Sequence, residues 1–155
     1  MAPELKRLDP KELDLLNRAP ILVSILIAGA DGNIDRNEIK GAIETAQKKS
    51  KGKSSLQAYY QEVVTDFEDK VKVILHDYPS DAELRANAIS AELSGLNIIF
   101  KKIEGPLPSH IYESLKNLAL NIAKSSGGLF GLKSIGPEEA KYVELKMISP
   151  PSTSH

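Results

Sequence analysis

The sequence predicts an all-α, single-domain bundle of about seven helices over residues 1–148, followed by a disordered tail at 149–155. Three observations favour this fold class. Apolar residues recur at steps of three and four along most of the chain, which is the period of a helix that buries one face. Residues that cap helices precede several of these stretches. Segments with the alternating pattern of a strand are scarce.

The first two predicted helices meet at a proline. Asp9 and Pro10 predict the start of one helix, because aspartate caps a helix N-terminus and proline is tolerated in the first turn. We expect that helix to end near Asn17, since Pro20 disfavours helical geometry at the residue before it. A second helix is expected from Pro20 to Ala30. Its sequence is apolar on nearly all sides, which indicates the centre of the core.

The other helices follow from capping pairs and apolar periodicity. Asp35 and Glu38 have the spacing of a capping box, and so do Ser80 and Glu83, so each pair predicts the start of a helix. The later helices are bounded by prolines and glycine-rich breaks. The third to seventh predicted helices cover about residues 36–49, 56–77, 80–103, 109–125 and 137–147.

Composition narrows the function classes. The formal net charge is −1, so no global field indicates nucleic acid as a partner. The absence of cysteine excludes disulfides, thiolate metal sites and thiol nucleophiles. The N-terminal residues do not have the pattern of a secretory signal, and the apolar run from Ile21 to Ala30 is about half the length of a membrane-spanning helix. We therefore expect a cytoplasmic protein.

An internal repeat links the two ends of the chain. The segment IAGADGNIDRNE, at 27–38, is echoed from Ile122 onwards, with seven residues inserted in the second copy. Each copy ends an apolar helix in Ile-Ala and turns on a glycine. Each then places a glutamate four residues after an isoleucine, at Glu38 and Glu139. Two pseudo-symmetric helix-corner-helix units are therefore predicted.

The pattern IAxADGxIxxxE, with its degenerate echo in an all-α chain of this length, resembles the tellurite-resistance TerB-like family. The resemblance implies a seven-helix fold without catalytic activity, and weak binding of a divalent metal by acidic residues of the corners. It implies a role in a stress-resistance assembly beside membrane-associated and chaperone-like partners. The positions that match the motif are Asp31, Asp35 and Glu38.

The same corner matches only half of a calcium-binding loop. With Gly32 at position six, Asp31, Asp35 and Glu38 take positions five, nine and twelve, but positions one and three hold no carboxylate. A calcium, magnesium or zinc site would need further oxygens, and Glu138 and Glu139 of the second corner are the expected donors. The simpler interpretation is a helix cap at Asp35 and Glu38, which contributes about 1 kcal/mol.

A second hypothesis needs no metal. Leu129, Phe130 and Leu132 lie in the inserted glycine-rich loop, where apolar side chains either enter the core or form an exposed patch for a partner. The chain would then be a protein-interaction module that uses this loop and the acidic corner. An enzyme ranks third, because the sequence contains no recognisable nucleophile, base and orienting group.

Overall fold

The computed structural model describes residues 3–30, 32, 34, 36–52, 55–127 and 142–151. Within these ranges every regular element is helical and no strand occurs, so the predicted all-α class is confirmed. Only Gly95 separates α5 from α6, so the seven segments can also be counted as six helices. After a 3-10 turn at Pro3–Arg7, the helices are α1 (Pro10–Ala28), α2 (Arg36–Lys51), α3 (Gln57–Val64), α4 (Phe67–Asp77), α5 (Ala82–Ser94), α6 (Leu96–Lys101) and α7 (Leu107–Gly127).

Helix α1 is the centre of the bundle. Each of the helices α2 to α7 packs against it, and α7 makes the most extensive of these contacts. Its second half, from Ala19 to Ala28, is almost completely withdrawn from solvent. This burial confirms that the apolar run forms the core. The predicted apolar face of α7 is buried as well, at Ile111, Leu115, Leu118 and Ile122.

The predicted break before Pro20 is wrong, because α1 runs without interruption through this residue. A proline inside a helix removes the N–H that would bond to the carbonyl four residues earlier, here that of Leu16. The buried Tyr59 hydroxyl donates to the Leu16 carbonyl over 2.7 Å and replaces the missing donor. The prediction failed because the replacement comes from another helix, α3.

The predicted start of α1 is confirmed. Asp9 accepts from the Glu12 N–H, and Glu12 accepts from the Asp9 N–H, which completes a capping box. At α5 the prediction is wrong by one residue. Asp81, and not Ser80, accepts from the Leu84 N–H and caps the helix.

The long helix predicted at 56–77 is two helices. The break lies at Thr65 and Asp66, where Asp66 has a left-handed backbone with φ 55°. Residues other than glycine rarely adopt this conformation, so a break at an aspartate is not expected. The apolar periodicity continues across the break and therefore conceals it. The break separates α3, which packs closely against α2, from α4.

The chain beyond α7 is described only in part. Most of the predicted seventh helix lies outside the described residues, and residues 142–147 form turns and no helix. Asn97 holds the segment at 147–149, since its Nδ2 donates to the Met147 carbonyl at 3.1 Å and its Oδ1 accepts from the Ser149 N–H at 2.8 Å. The end of the predicted tail, 152–155, lies outside the described residues.

Candidate functional site

The predicted metal ligands fall mostly outside the described residues. Asp31, Asp35, Glu138 and Glu139 are not among them. Glu38 is described: it lies in the first turn of α2 and is 5% exposed. The predicted partner-binding residues Leu129, Phe130 and Leu132 also lie outside the described residues. The pseudo-symmetry of the two corners therefore stays a prediction.

Arg85 organises the described part of the first corner. This side chain of α5 is 6% exposed, and its Nη2 donates to the Gly29 carbonyl over 2.9 Å. Its Nη1 donates to the Ser80 carbonyl over 3.2 Å. The Gly29 carbonyl also accepts from the Gly32 N–H at 3.1 Å. One guanidinium thus satisfies a carbonyl at the C-terminal end of α1, where acceptors lack intrahelical donors, and ties it to the Ser80 carbonyl in the turn before α5.

Gly29 is tightly packed at this corner, whereas its backbone angle, φ −104°, does not require glycine. A Cβ atom there would overlap Ile34 Cδ1 and lie 2.7 Å from Arg85 Nη2. Gly32 is different, since its φ of 99° favours glycine while the space around it is open. The two glycines of the motif therefore have separate structural reasons.

The described residues alone do not make a metal site. Within them, no group of three histidine or acidic side chains lies close enough to hold an ion. The Gly29 carbonyl has two lone pairs, and both are occupied by the Arg85 and Gly32 donors. Glu38 is thus the one predicted ligand that the described part of the chain places at the corner, and metal binding stays a prediction.

A groove begins at the same corner and runs between α2 and α4. Its volume is about 620 Å³, which is within the usual range of ligand sites. Each helix contributes four residues at positions i, i+3, i+4 and i+7, and Ile34 closes the end beside the corner. The lining residues are Arg36, Ile39, Lys40 and Ile43 from α2, and Glu68, Val71, Lys72 and Leu75 from α4.

The floor of the groove is apolar and its rim is charged. Ile39 and Val71 are buried at the bottom, whereas Ile34, Ile43 and Leu75 are only half-buried. The exposed charged side chains on the rim are Arg36, Lys40, Lys72 and Glu68. The α2 and α4 faces that line the groove each have the helical spacing of a face that packs against another helix.

The groove was not predicted from the sequence. The spacing of its residues is readable there, but Val71 and Leu75 of α4 look like part of a continuous apolar stripe of the core. The missing information is the break at Asp66, which ends the close packing of α3 on α2 before α4 begins. A sequence shows that a face is apolar but not which element covers it.

A serine and a histidine also meet on the surface. Ser55 Oγ lies 2.7 Å from His110 Nδ1, and both side chains are exposed. No acidic side chain of the described chain orients the imidazole, and the pair lies in none of the larger clefts. A nucleophile needs an oriented base and a site for the substrate, so this pair gives no support to an enzymatic hypothesis.

Comparisons with known protein families, curated proteins and solved structures gave no match to this chain. Among the described helices, none combines the length and the apolarity that crossing a bilayer requires. Function must therefore be inferred from the corner and the groove themselves.

Proposed function

We propose that this chain is a non-enzymatic, cytoplasmic protein-interaction module whose binding surface is the groove between α2 and α4. The observation that carries the proposal is the apolar floor of the groove, which no described element covers and which leaves three of its side chains only half-buried. Recognition of a helix in a groove commonly uses such a floor, with side chains at helical spacing as anchors. As part of the same proposal, the module acts in a stress-resistance assembly, a role suggested by the resemblance of the 27–38 motif to TerB-like proteins.

The exposed part of the floor gives the interaction its driving force. Ile34, Ile43 and Leu75 are half-buried, and full burial of one such side chain contributes about 1.5–3 kcal/mol. At most about a third of each side chain is still exposed, so completing the burial of all three would release at most about 1.5–3 kcal/mol before the costs of association. This amount suits a transient complex that gains further contacts at the rim.

Weak binding of calcium, magnesium or zinc at the corner is the second candidate. Glu38 supports it, because this carboxylate lies beside the corner in the first turn of α2 and carboxylate oxygens are ligands of such ions. The test is thermal melting of chelator-stripped protein with each ion. An ion at about 100 times its dissociation constant adds about 2.7 kcal/mol, and Glu38→Gln should remove that increment. A melting temperature that no ion raises would contradict this candidate.

Selection from a display library of helical peptides tests the groove directly. The purified chain is the target, and the double variant Ile43→Ser with Leu75→Ser is the counter-target. We expect enrichment of amphipathic helical peptides that bind the variant at least about tenfold more weakly, because each anchor loses about 1 kcal/mol of apolar contact.

Ile98→Ser is the matched control, since Ile98 is 64% exposed and lies on α6 away from the groove. Selected peptides should bind this variant as tightly as the unmodified chain. A selection without enrichment, or peptides that bind the groove double variant equally well, would contradict the proposal. Circular dichroism of both variants verifies that they are folded.

A further inference from the structure

We infer that the occupant of the groove between α2 and α4 is an acidic amphipathic helix of a partner protein. The inference rests on the proposed function and names the partner chemistry that this surface fits. Three features of the groove support it: its length, the excess of positive charge on its rim, and the absence of ion pairs between that rim and the described residues.

The length of the groove fits a short helical segment. The α2 side extends from Arg36 to Ile43, and the α4 side from Glu68 to Leu75. A helix rises 1.5 Å per residue, so each side is about 10 Å long. A ligand helix of about two turns fills this length and presents an apolar stripe to the floor. Two ridges of four residues match such a stripe better than they match a single small molecule.

The rim carries an excess of positive charge. Arg36 and Lys40 lie on the α2 side and Lys72 on the α4 side, against one acid, Glu68. None of these four side chains forms an ion pair with any residue that the structure describes. The local excess of two positive charges contrasts with the net charge of −1 for the whole chain.

The cleft between α1 and α5 has the opposite charge balance, because its lining holds three acids, Glu12, Asp14 and Glu92, against two cations, Lys11 and Arg18. Arg18 pairs with Asp14 at 2.9 Å and with Glu92 at 3.1 Å, in the cleft between α1 and α5. Lys102 pairs with Glu12 beside the same cleft. Because acids outnumber cations in its lining, that cleft offers less attraction to an acidic ligand than the groove does. The difference selects the groove as the acidic-helix site.

Glu68 also sets the orientation of the ligand. It lies in the first turn of α4, at the opposite end of the α4 ridge from Leu75. A basic residue of the ligand should therefore lie beside Glu68, and its acidic residues should follow Arg36, Lys40 and Lys72. Like charges that face each other are unfavourable, so a uniformly acidic helix binds less well than one with a single basic residue at that point.

Fluorescence anisotropy with two synthetic peptides tests the inference. The probes are amphipathic peptides of about 14 residues with the same leucine stripe, one flanked by glutamates and one by lysines. We expect the acidic peptide to bind about tenfold more tightly at low salt, with a smaller difference at high salt because the rim charges are screened. Lys40→Glu with Lys72→Glu should reverse the preference.

Lys11→Glu with Lys101→Glu is the control, because it changes the net charge equally at exposed positions outside the groove. It should leave the preference unchanged. If both peptides bind equally well, and the double variant Ile43→Ser with Leu75→Ser abolishes this binding, the groove is a binding site but its partner is not acidic. Binding of neither peptide, or binding unaffected by that double variant, would count against the groove as well.

Two further probes separate a protein helix from other anionic amphiphiles. A fluorescent fatty acid and vesicles containing anionic lipid both carry negative charge beside apolar groups. One result would contradict the helical partner: either probe binds the unmodified chain but not the Ile43→Ser with Leu75→Ser variant, and the acidic peptide binds neither of these two proteins. Binding of the acidic peptide alone, lost in the same variant, supports it.

Discussion

Tyr59→Phe is expected to lower the free energy of unfolding by about 1–3 kcal/mol, because it removes a hydroxyl but little volume. In the native chain this hydroxyl donates to the Leu16 carbonyl at 2.7 Å. Pro20 has no N–H, so the substitution leaves that carbonyl without its donor in a helix segment withdrawn from water. The edge-to-face contact of ring 59 with the Tyr60 ring, at 5.1 Å between centroids, is retained.

A double-mutant cycle with Pro20→Ala isolates this effect. Alanine at position 20 restores the N–H that bonds to the Leu16 carbonyl within the helix. Tyr59→Phe should therefore cost about 1 kcal/mol less in the Pro20→Ala background than in the native background. Urea unfolding of the four proteins, followed by circular dichroism, gives the coupling energy.

Tyr60→Phe is a suitable control, because the buried Tyr60 hydroxyl bonds to Ser114 Oγ at 2.9 Å and this hydrogen bond involves neither Leu16 nor Pro20. The loss of unfolding free energy caused by this control substitution should be the same with and without Pro20→Ala, to within about 0.5 kcal/mol. Strict additivity of Tyr59→Phe and Pro20→Ala would refute the role of Tyr59 in accommodating the proline.

Three other predictions concern stability. Gly29→Ala should destabilise the fold by about 1–3 kcal/mol, since its Cβ would overlap Ile34 and crowd Arg85. Gly41→Ala is the control, because position 41 lies in open space on α2, and it should stabilise the fold by about 0.5–1 kcal/mol. Equal effects of the two variants in urea unfolding would refute the packing argument. Arg85→Lys should lower the free energy of unfolding by about 1.5–3 kcal/mol, because one ammonium group does not reproduce the two guanidinium nitrogens that donate to the Gly29 and Ser80 carbonyls. An unchanged free energy in the same assay would show that these hydrogen bonds contribute little. Burial raises the pKa of Tyr60 to about 12. Its contribution to stability is therefore complete below the unfolded pKa of about 10 and is lost as the pH rises through about 12. The phenolate absorbance that Tyr60→Phe removes should develop near pH 12, and its development near pH 10 would contradict the prediction.

Local sequence signals predicted the features of this fold that depend on neighbouring residues. The capping residue Asp9 and the apolar faces of α1 and α7 act within one or two turns, so a short segment contains the cause. The break predicted at Pro20 was wrong because its remedy, Tyr59, lies on another helix, 43 residues along the chain from Leu16. No local rule includes such a donor.

The candidate site was predictable only at its corner. The motif at 27–38 predicted that Glu38 belongs to the site, and this residue is buried in the first turn of α2. The role of Gly29 was not readable, because the guanidinium that fills its space comes from α5. The groove depends on the left-handed Asp66, whose conformation ends α3 although the apolar spacing continues. These features arise from tertiary contacts and not from periodicity.

The location of the binding surface is the central claim, and amide chemical shifts test it most directly. Uniformly ¹⁵N-labelled chain is titrated with the unlabelled acidic amphipathic peptide, and the perturbed amides are mapped onto the fold. We predict saturable shifts concentrated at residues 34–43 and 68–75, the two sides of the groove. Shifts concentrated around Ile98, in the cleft between α1 and α5, or no saturable shifts at millimolar peptide, would contradict the claim.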